Sequence, residues 1–266
     1  MFQITIFFLY LGAAAAFVLS RLRPNTTRYA VLAMTGFVLA LSGLGLHALD
    51  LYEVLGPGGN ITPTSVLSLI GLQLALIALL GAIEKNLRGL SAALLLLAAI
   101  LALLTQPEAA SSPEHVLGWQ MRTHVVTSLF AYGLLTVGAI VAIFALIQLR
   151  RLKNVKLSRA NQLFAPLDTT ESLLYTVTLA GFVVLALSVV SGFTFIEDLF
   201  AQHLAHKTIL SLLALVVFGV LLLGRQFAGW RGRRAIYLYL AGFALLCLAY
   251  FGSRYVLEEI LGRSWG

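Results

Sequence analysis

The chain has 266 residues, of which 60% are hydrophobic and 11% are charged, and its mean hydropathy is +0.94. Soluble domains carry roughly 25% charged residues, so this composition excludes an ordinary water-soluble domain and predicts a membrane protein. The net charge of +7 does not indicate a nucleic-acid partner, because the basic residues fall in short connections, where they set membrane topology. A single cysteine, Cys247, excludes an intrachain disulfide or a cysteine-based zinc site.

Apolar runs long enough to cross a bilayer as helices recur eight times along the chain. They predict an all-α, polytopic membrane helix bundle with transmembrane spans at about 3–20, 29–51, 63–83, 89–105, 122–149, 171–194, 204–224 and 235–258. The first run lacks a basic leader and a convincing cleavage site, so we interpret it as a retained span. Since little polar sequence is left for a soluble domain, residues 1–266 are predicted to form one transmembrane domain.

The distribution of lysine and arginine predicts the orientation of these spans. Fourteen of the 18 basic residues lie in the connections that follow the first, third, fifth and seventh spans. The opposite side holds only Arg122, Lys207, Arg254 and Arg263, together with eight of the 11 acidic residues. Short connections rich in basic residues stay in the cytoplasm, so both termini are predicted to be extracytoplasmic.

All five histidines fall on the predicted outer side. His47 lies about one turn inside the second span, His115 is in the connection after the fourth, and His124 opens the fifth. His206 opens the seventh span, and His203 is predicted to lie in the loop before it. Imidazole is a common ligand of haem iron and transition metals, and ionisable groups at membrane depth tend to be functional. The alternative is that each histidine is an interfacial anchor or a hydrogen-bonded packing residue.

If these histidines share a site, the second, fifth and seventh spans must converge at their outer ends. Helical spacing places Asp50 on the same face as His47, where its carboxylate would either orient the imidazole or remain solvated. No CxxCH, HExxH, glycine-rich phosphate loop or Ser-His-Asp arrangement is present. With no substrate and no turnover chemistry indicated, we do not expect an enzyme.

Several short segments carry a resemblance to a known family. They are His124-Val-Val-Thr-Ser-Leu-Phe-Ala-Tyr132, Pro166-Leu167-Asp168, Gly181-Phe182, Ser191-Gly192, Gly229-Trp230-Arg231-Gly232, Gly242-Phe243 and Ala249-Tyr250-Phe251-Gly252. They resemble the CcsA-like cytochrome c assembly family of haem-handling membrane proteins, in particular its YpjD/HemX-type branch. The resemblance implies that His124 is the family's outer histidine and that Tyr132, two turns later, belongs to the cofactor-binding residues.

The chain also departs from this family at three places. The family's haem-transferring members carry a tryptophan-rich outer segment before the seventh span, whereas residues 197–208 here contain no tryptophan. The family's second intramembrane histidine would fall near Leu223, and its second outer histidine would follow the last span; both are missing. Haem binding is therefore a better-supported expectation than transfer of haem to cytochrome c.

We predict haem b held by His124 and His206, with His47 as a replacement or additional ligand. Arg122 and Lys207, each close in sequence to one of these histidines, would meet the two haem propionates. The expected partners are haem, the lipid bilayer and another membrane protein of cytochrome c assembly, with no nucleic acid. The expected location is the bacterial inner membrane.

Two other functions stay open at this point. One is a b-type cytochrome that passes electrons across the membrane, which usually needs histidines at two depths. The other is a haem-free subunit or carrier that stabilises a partner membrane protein. Control of haem synthesis is a variant of the haem-handling interpretation.

Overall fold

The computed structural model describes residues 2–22, 28–55, 63–104, 119–153, 163–195 and 202–252. Within these ranges the chain is almost entirely helical, which confirms the all-α prediction. The helices are α1 Phe2–Leu22, α2 Arg28–Leu55, α3 Pro63–Gly81, α4 Arg88–Leu103, α5 Trp119–Lys153, α6 Leu167–Phe195, α7 Gln202–Ala228 and α8 Arg233–Cys247. A 3₁₀ turn at Lys85–Leu87 precedes α4, and a π-helical turn at Leu248–Gly252 continues α8.

Each of these eight helices, α4 and α8 with their adjoining turns, contains a stretch long and apolar enough to cross a membrane, with mean hydropathies between 1.3 and 2.4. The chain is therefore a membrane protein, as its composition predicts. Several helices are longer than their apolar runs: α5 has 35 residues, or about 52 Å, against a hydrocarbon core of about 30 Å. The extra length includes Arg150 and Arg151, because arginine forms helix well outside the membrane.

The chain forms two compact units. Unit 1 comprises Met1–Val116 and Arg150–Thr170, and unit 2 comprises Leu117–Leu149 and Glu171–Gly266. The prediction of one domain over residues 1–266 and the predicted orientation of the termini both stay predictions.

Unit 1 contains four helices whose contacts close a ring, since α1 packs against α2 and α4, and α3 packs against the same two helices. Two glycines of α2 admit aromatic rings of α1. A Cβ at Gly36 would lie 2.7 Å from the Phe17 ring, and one at Gly43 would lie 2.8 Å from the Tyr10 ring. These close approaches place Tyr10 in the centre of the unit, where it is fully buried.

Unit 2 repeats this arrangement with the four later helices. Neighbouring helices meet at glycines, the contacts being Gly181 of α6 on Leu135 of α5, Gly219 of α7 on Phe182 of α6, and Gly242 of α8 on Phe218 of α7. The ring of four helices closes between α8 and α5, where the buried hydroxyl of Tyr239 donates a 2.7 Å hydrogen bond to the Leu135 carbonyl. Small residues at these crossings allow the backbones to approach closely, as is usual for membrane helices.

Candidate functional site

His124 lies in the second turn of α5 and its imidazole contacts α6. The ring nitrogen Nδ1 is 3.1 Å from the Ser188 carbonyl oxygen and 2.9 Å from the Ser191 hydroxyl. A carbonyl oxygen can only accept, so this contact requires that Nδ1 carries the proton. The neutral ring then has its lone pair on Nε2, and no described residue hydrogen-bonds that atom. This is the tautomer in which histidine coordinates a metal through Nε2.

Three residues of α6, Ser188, Ser191 and Gly192, contact the imidazole of His124. The Ser191 hydroxyl also donates a 2.7 Å hydrogen bond to the Ser188 carbonyl, which ties both acceptors of Nδ1 together. A Cβ at Gly192 would lie 3.1 Å from Cε1 of His124, so the absence of a side chain there leaves room for the imidazole. The Ser191-Gly192 pair, recognised from sequence only as a family motif, thus contacts the candidate ligand.

Tyr132 and Lys207 lie in the same unit as His124. The Tyr132 hydroxyl donates a 3.0 Å hydrogen bond to the Leu246 carbonyl, close to the π-helical turn, and its ring meets the Tyr250 ring edge-on at 5.9 Å. The Lys207 ammonium lies 5.6 Å from the centre of the Tyr250 ring. Unit 2 therefore brings three of the predicted site residues into one neighbourhood, beside a helical irregularity of a kind frequent at functional sites.

Other predicted residues of this region lie partly outside the described structure. The backbones of Arg122 and His206 belong to α5 and α7, but their side chains are outside the described residues, as is the whole of His115. The expectation that His203 lies in a loop is wrong, because α7 begins at Gln202 and includes it. The polar residues of the first turn extend the helix beyond the apolar run.

His47 lies in unit 1, fully buried between α1 and α3. Its Nδ1 is 3.2 Å from the Tyr10 hydroxyl and its Nε2 is 2.8 Å from the Ser68 hydroxyl. Both nitrogens are therefore engaged, so coordination of a metal by His47 requires that Tyr10 or Ser68 gives up its hydrogen bond. Ser68 was not singled out from the sequence, although a serine inside an apolar span is itself a signal.

Of the two alternatives for Asp50, the structure does not support orientation of His47 by its carboxylate. Asp50 is 8% exposed, its Oδ2 has no hydrogen-bond partner among the described residues, and the ring nitrogens of His47 bond to Tyr10 and Ser68 instead. Helical spacing correctly places Asp50 one turn from His47, but it does not show that α1 and α3 supply nearer partners. Whether His47 shares a site with His124 and His206 stays a prediction.

Within the described ranges no group of three or more histidines, cysteines or carboxylates is placed to hold a metal ion. The arrangement around His124 is of another kind: one histidine with a fixed tautomer, a nearby cation and aromatic rings. Such an arrangement offers a single imidazole nitrogen rather than a cage of several metal ligands.

Comparison with known proteins adds an independent finding. A model of the family described as "Cytochrome C assembly protein" matches residues 62–261. The chain is 39% identical over 140 residues to the inner membrane protein YpjD of Escherichia coli strain K12, covering 53% of each protein. It is 33% identical over 141 residues to an uncharacterized 28.8 kDa protein in the nifR3-like 5' region of Azospirillum brasilense, covering 52% of each. The matched segment spans about half the length of these curated relatives. No solved structure matches the chain.

Proposed function

This chain belongs to the cytochrome C assembly protein family, and we propose that it is a bacterial inner-membrane protein that binds or handles haem. The observation that carries the proposal is the Nδ1 contact of His124 with the Ser188 carbonyl and the Ser191 hydroxyl. Haem-ligating histidines characteristically donate their second ring N–H to such acceptors, which fixes the ring and raises its basicity. We propose no catalytic turnover for this site.

The residues around His124 fit a haem in two further respects. Gly192 clears space beside the imidazole, and the Tyr132 and Tyr250 rings form an aromatic surface nearby. Lys207, at the start of the seventh membrane span, supplies a cation of the kind that a haem propionate requires. Haem b needs no covalent attachment, and the sequence carries no CxxCH for one.

His206 is our proposed second ligand, with Arg122 as a second propionate partner. His206 precedes Lys207 directly, and the Lys207 ammonium lies near the ring of Tyr250, which contacts Tyr132 of the helix that carries His124. Because both nitrogens of His47 are already hydrogen-bonded, we assign His47 the role of a replacement or additional ligand.

The family and the relative suggest where the protein acts. The Escherichia coli relative is named an inner membrane protein, and the family is described by cytochrome c assembly. We propose the same membrane, both termini outside the cytoplasm, and a partner membrane protein of that assembly process. The support for the orientation is the excess of basic residues on one side of the spans.

A reduced-minus-oxidised absorption spectrum of the detergent-purified chain tests the proposal. We expect a Soret band and one haem b per chain. His124→Ala should abolish or shift the band, because it removes the ligand, whereas His115→Ala should leave it unchanged. A protein without a Soret band would instead be a haem-free subunit or carrier, and two haems per chain would indicate a b-type cytochrome. Equal haem content in the His124, His206 and His47 alanine variants would show that these histidines are packing residues.

A further inference from the structure

Unit 1 carries three cations at the end where α1 finishes and α4 begins. Arg21 lies in the last turn of α1, Lys85 in the 3₁₀ turn, and Arg88 is the first residue of α4. Within the described ranges none of the three forms an ion pair with a carboxylate. Glu84 precedes Lys85 in the chain, and one of its oxygens accepts a 3.4 Å hydrogen bond from the Asn86 backbone N–H. The cluster therefore has an excess of positive charge.

Arg88 is the structural member of this cluster. It is buried, and its Nε donates a 3.0 Å hydrogen bond to the Ala82 carbonyl, just beyond the end of α3. Its Nη1 donates a 2.5 Å hydrogen bond to the Tyr29 hydroxyl, and its guanidinium lies over the Tyr29 and Phe37 rings at 5.3 and 6.0 Å. Arg88 thus fixes the position of Tyr29 and leaves the other two cations for a ligand.

Arg21, Lys85 and Tyr29 retain hydrogen-bond donors that no described residue uses. Nε of Arg21 is buried without an acceptor, and its Nη1 makes only a long 3.5 Å contact with the Asn86 side chain. The Lys85 ammonium, which is exposed, lies 4.8 Å from the centre of the Tyr29 ring. The Tyr29 hydroxyl accepts from Arg88 and keeps its own proton to donate. A buried donor without an acceptor is costly, and the charge of Arg21 is repelled by Arg88 and attracted by Glu84.

We propose that Arg21, Lys85 and Tyr29 bind the phosphate group of an anionic phospholipid. A phosphate would accept from all three donors through short charge-assisted hydrogen bonds and would relieve the repulsion between the two arginines. The three residues lie at the ends of three membrane spans, Phe2–Leu22, Tyr29–Glu53 and Lys85–Leu103. This is the depth of lipid headgroups, so a membrane lipid rather than a soluble phosphate is the occupant. The site is independent of the proposed haem function.

The test compares binding of phosphatidylglycerol and phosphatidylethanolamine with identical acyl chains to the detergent-purified full chain, measured by native mass spectrometry. The wild type should prefer the anionic lipid. The double variant Arg21→Gln/Lys85→Gln should bind phosphatidylglycerol about 30-fold more weakly, because each substitution removes a charge-assisted hydrogen bond to the phosphate. The control Arg231→Gln/Arg233→Gln removes the same charge from two exposed positions of unit 2 and should retain the wild-type affinity.

A single variant distinguishes weaker lipid binding from a loss of folding, in case the double variant fails to fold. Lys85 is exposed, so Lys85→Gln should leave the melting temperature unchanged and still weaken phosphatidylglycerol binding about fivefold. Equal affinity for the two lipids, or equal losses in the site and control variants, would overturn the proposal. Inorganic phosphate that binds without lipid, and that displaces phosphatidylglycerol at millimolar concentration, would overturn the assignment to a lipid.

Discussion

The two histidines whose side chains are described have different chemical surroundings. His124 has one nitrogen bound to α6 and the other without a described partner, whereas both nitrogens of the fully buried His47 are bound. A metal ion that approached His124 would meet a nitrogen lone pair that no described residue uses. At His47 it would first have to displace the hydroxyl of Tyr10 or Ser68. Residue type alone therefore does not rank candidate ligands; the hydrogen bonds of the second ring nitrogen do.

Ser191 should matter to haem binding through His124. Ser191→Ala removes one of the two acceptors of the Nδ1 proton, and the loss of such a partner typically weakens binding by 10-fold or more. Because the Ser188 carbonyl remains, we expect about a 10-fold weaker haem affinity rather than complete loss. Titration of haem into the apoprotein measures the change.

Ser191→Thr is the matched control for this variant. It keeps the hydroxyl and should restore most of the affinity and the wild-type position of the Soret band. If Ser191→Ala binds haem as tightly as the wild type, the contact with Ser191 does not prepare His124 as a ligand.

The sequence identifies some members of the candidate site but not their contacts. His124 and Tyr132 are found from their position and from the family motif, and both lie in unit 2 with Lys207. The partnership of His124 with Ser188, and that of His47 with Ser68, could not be predicted. Helical periodicity shows which residues share a face of one helix, but it does not show which helix that face meets.

Helices α5 and α8 are joined by a close contact. The Tyr239 hydroxyl donates to the Leu135 carbonyl of α5, and it fits there because position 138, nearly one turn later, is a glycine. The ring of Tyr239 also meets Phe218 of α7 edge-on at 5.2 Å. One buried tyrosine thus contacts two neighbouring helices of unit 2.

Gly138→Ala should destabilise this contact. The added Cβ would lie 2.0 Å from the Tyr239 hydroxyl oxygen, so the ring must shift and its hydrogen bond must lengthen or break. We expect the free energy of unfolding to fall by about 1–3 kcal/mol, as for other overpacked cores. A lower melting temperature of the purified protein in detergent reports the effect.

The matched control is Gly45→Ala in α2, where nothing lies within 4 Å of the added Cβ. Alanine forms helix better than glycine, so this variant should be as stable as the wild type or slightly more stable. Equal melting temperatures for the two variants would contradict the proposed packing role of Gly138.

The number and type of the helices follow from composition, whereas their exact lengths do not. The apolar run predicts a fifth span over 122–149, but α5 extends from Trp119 to Lys153. Hydropathy marks where the chain can enter lipid, and helical hydrogen bonding continues beyond that boundary wherever the residues favour it. The π-helical turn at Leu248–Gly252 has no comparable signal in the sequence.

The orientation of the chain in the membrane is the property most open to a direct test. The 14 basic residues on one side predict that both termini lie outside the cytoplasm. A reporter that fluoresces only in the cytoplasm, fused after Gly266, should therefore be dark, and the same reporter placed in the connection after α5 should be bright. Bright fluorescence at Gly266 would reverse the orientation and place the histidines on the cytoplasmic side.

The division into units has a consequence for the order of biosynthesis. Unit 1 includes residues 150–170, where Leu163 packs against Gly89 of α4 and Arg151 stacks on Phe164. A ribosome makes α5 before it makes most of this segment, so the first unit cannot complete itself when its own four helices have emerged. Helices α1–α4 can pack against one another earlier, but the surface around Gly89 stays uncovered until Leu163 has been synthesised, after α5 of the second unit.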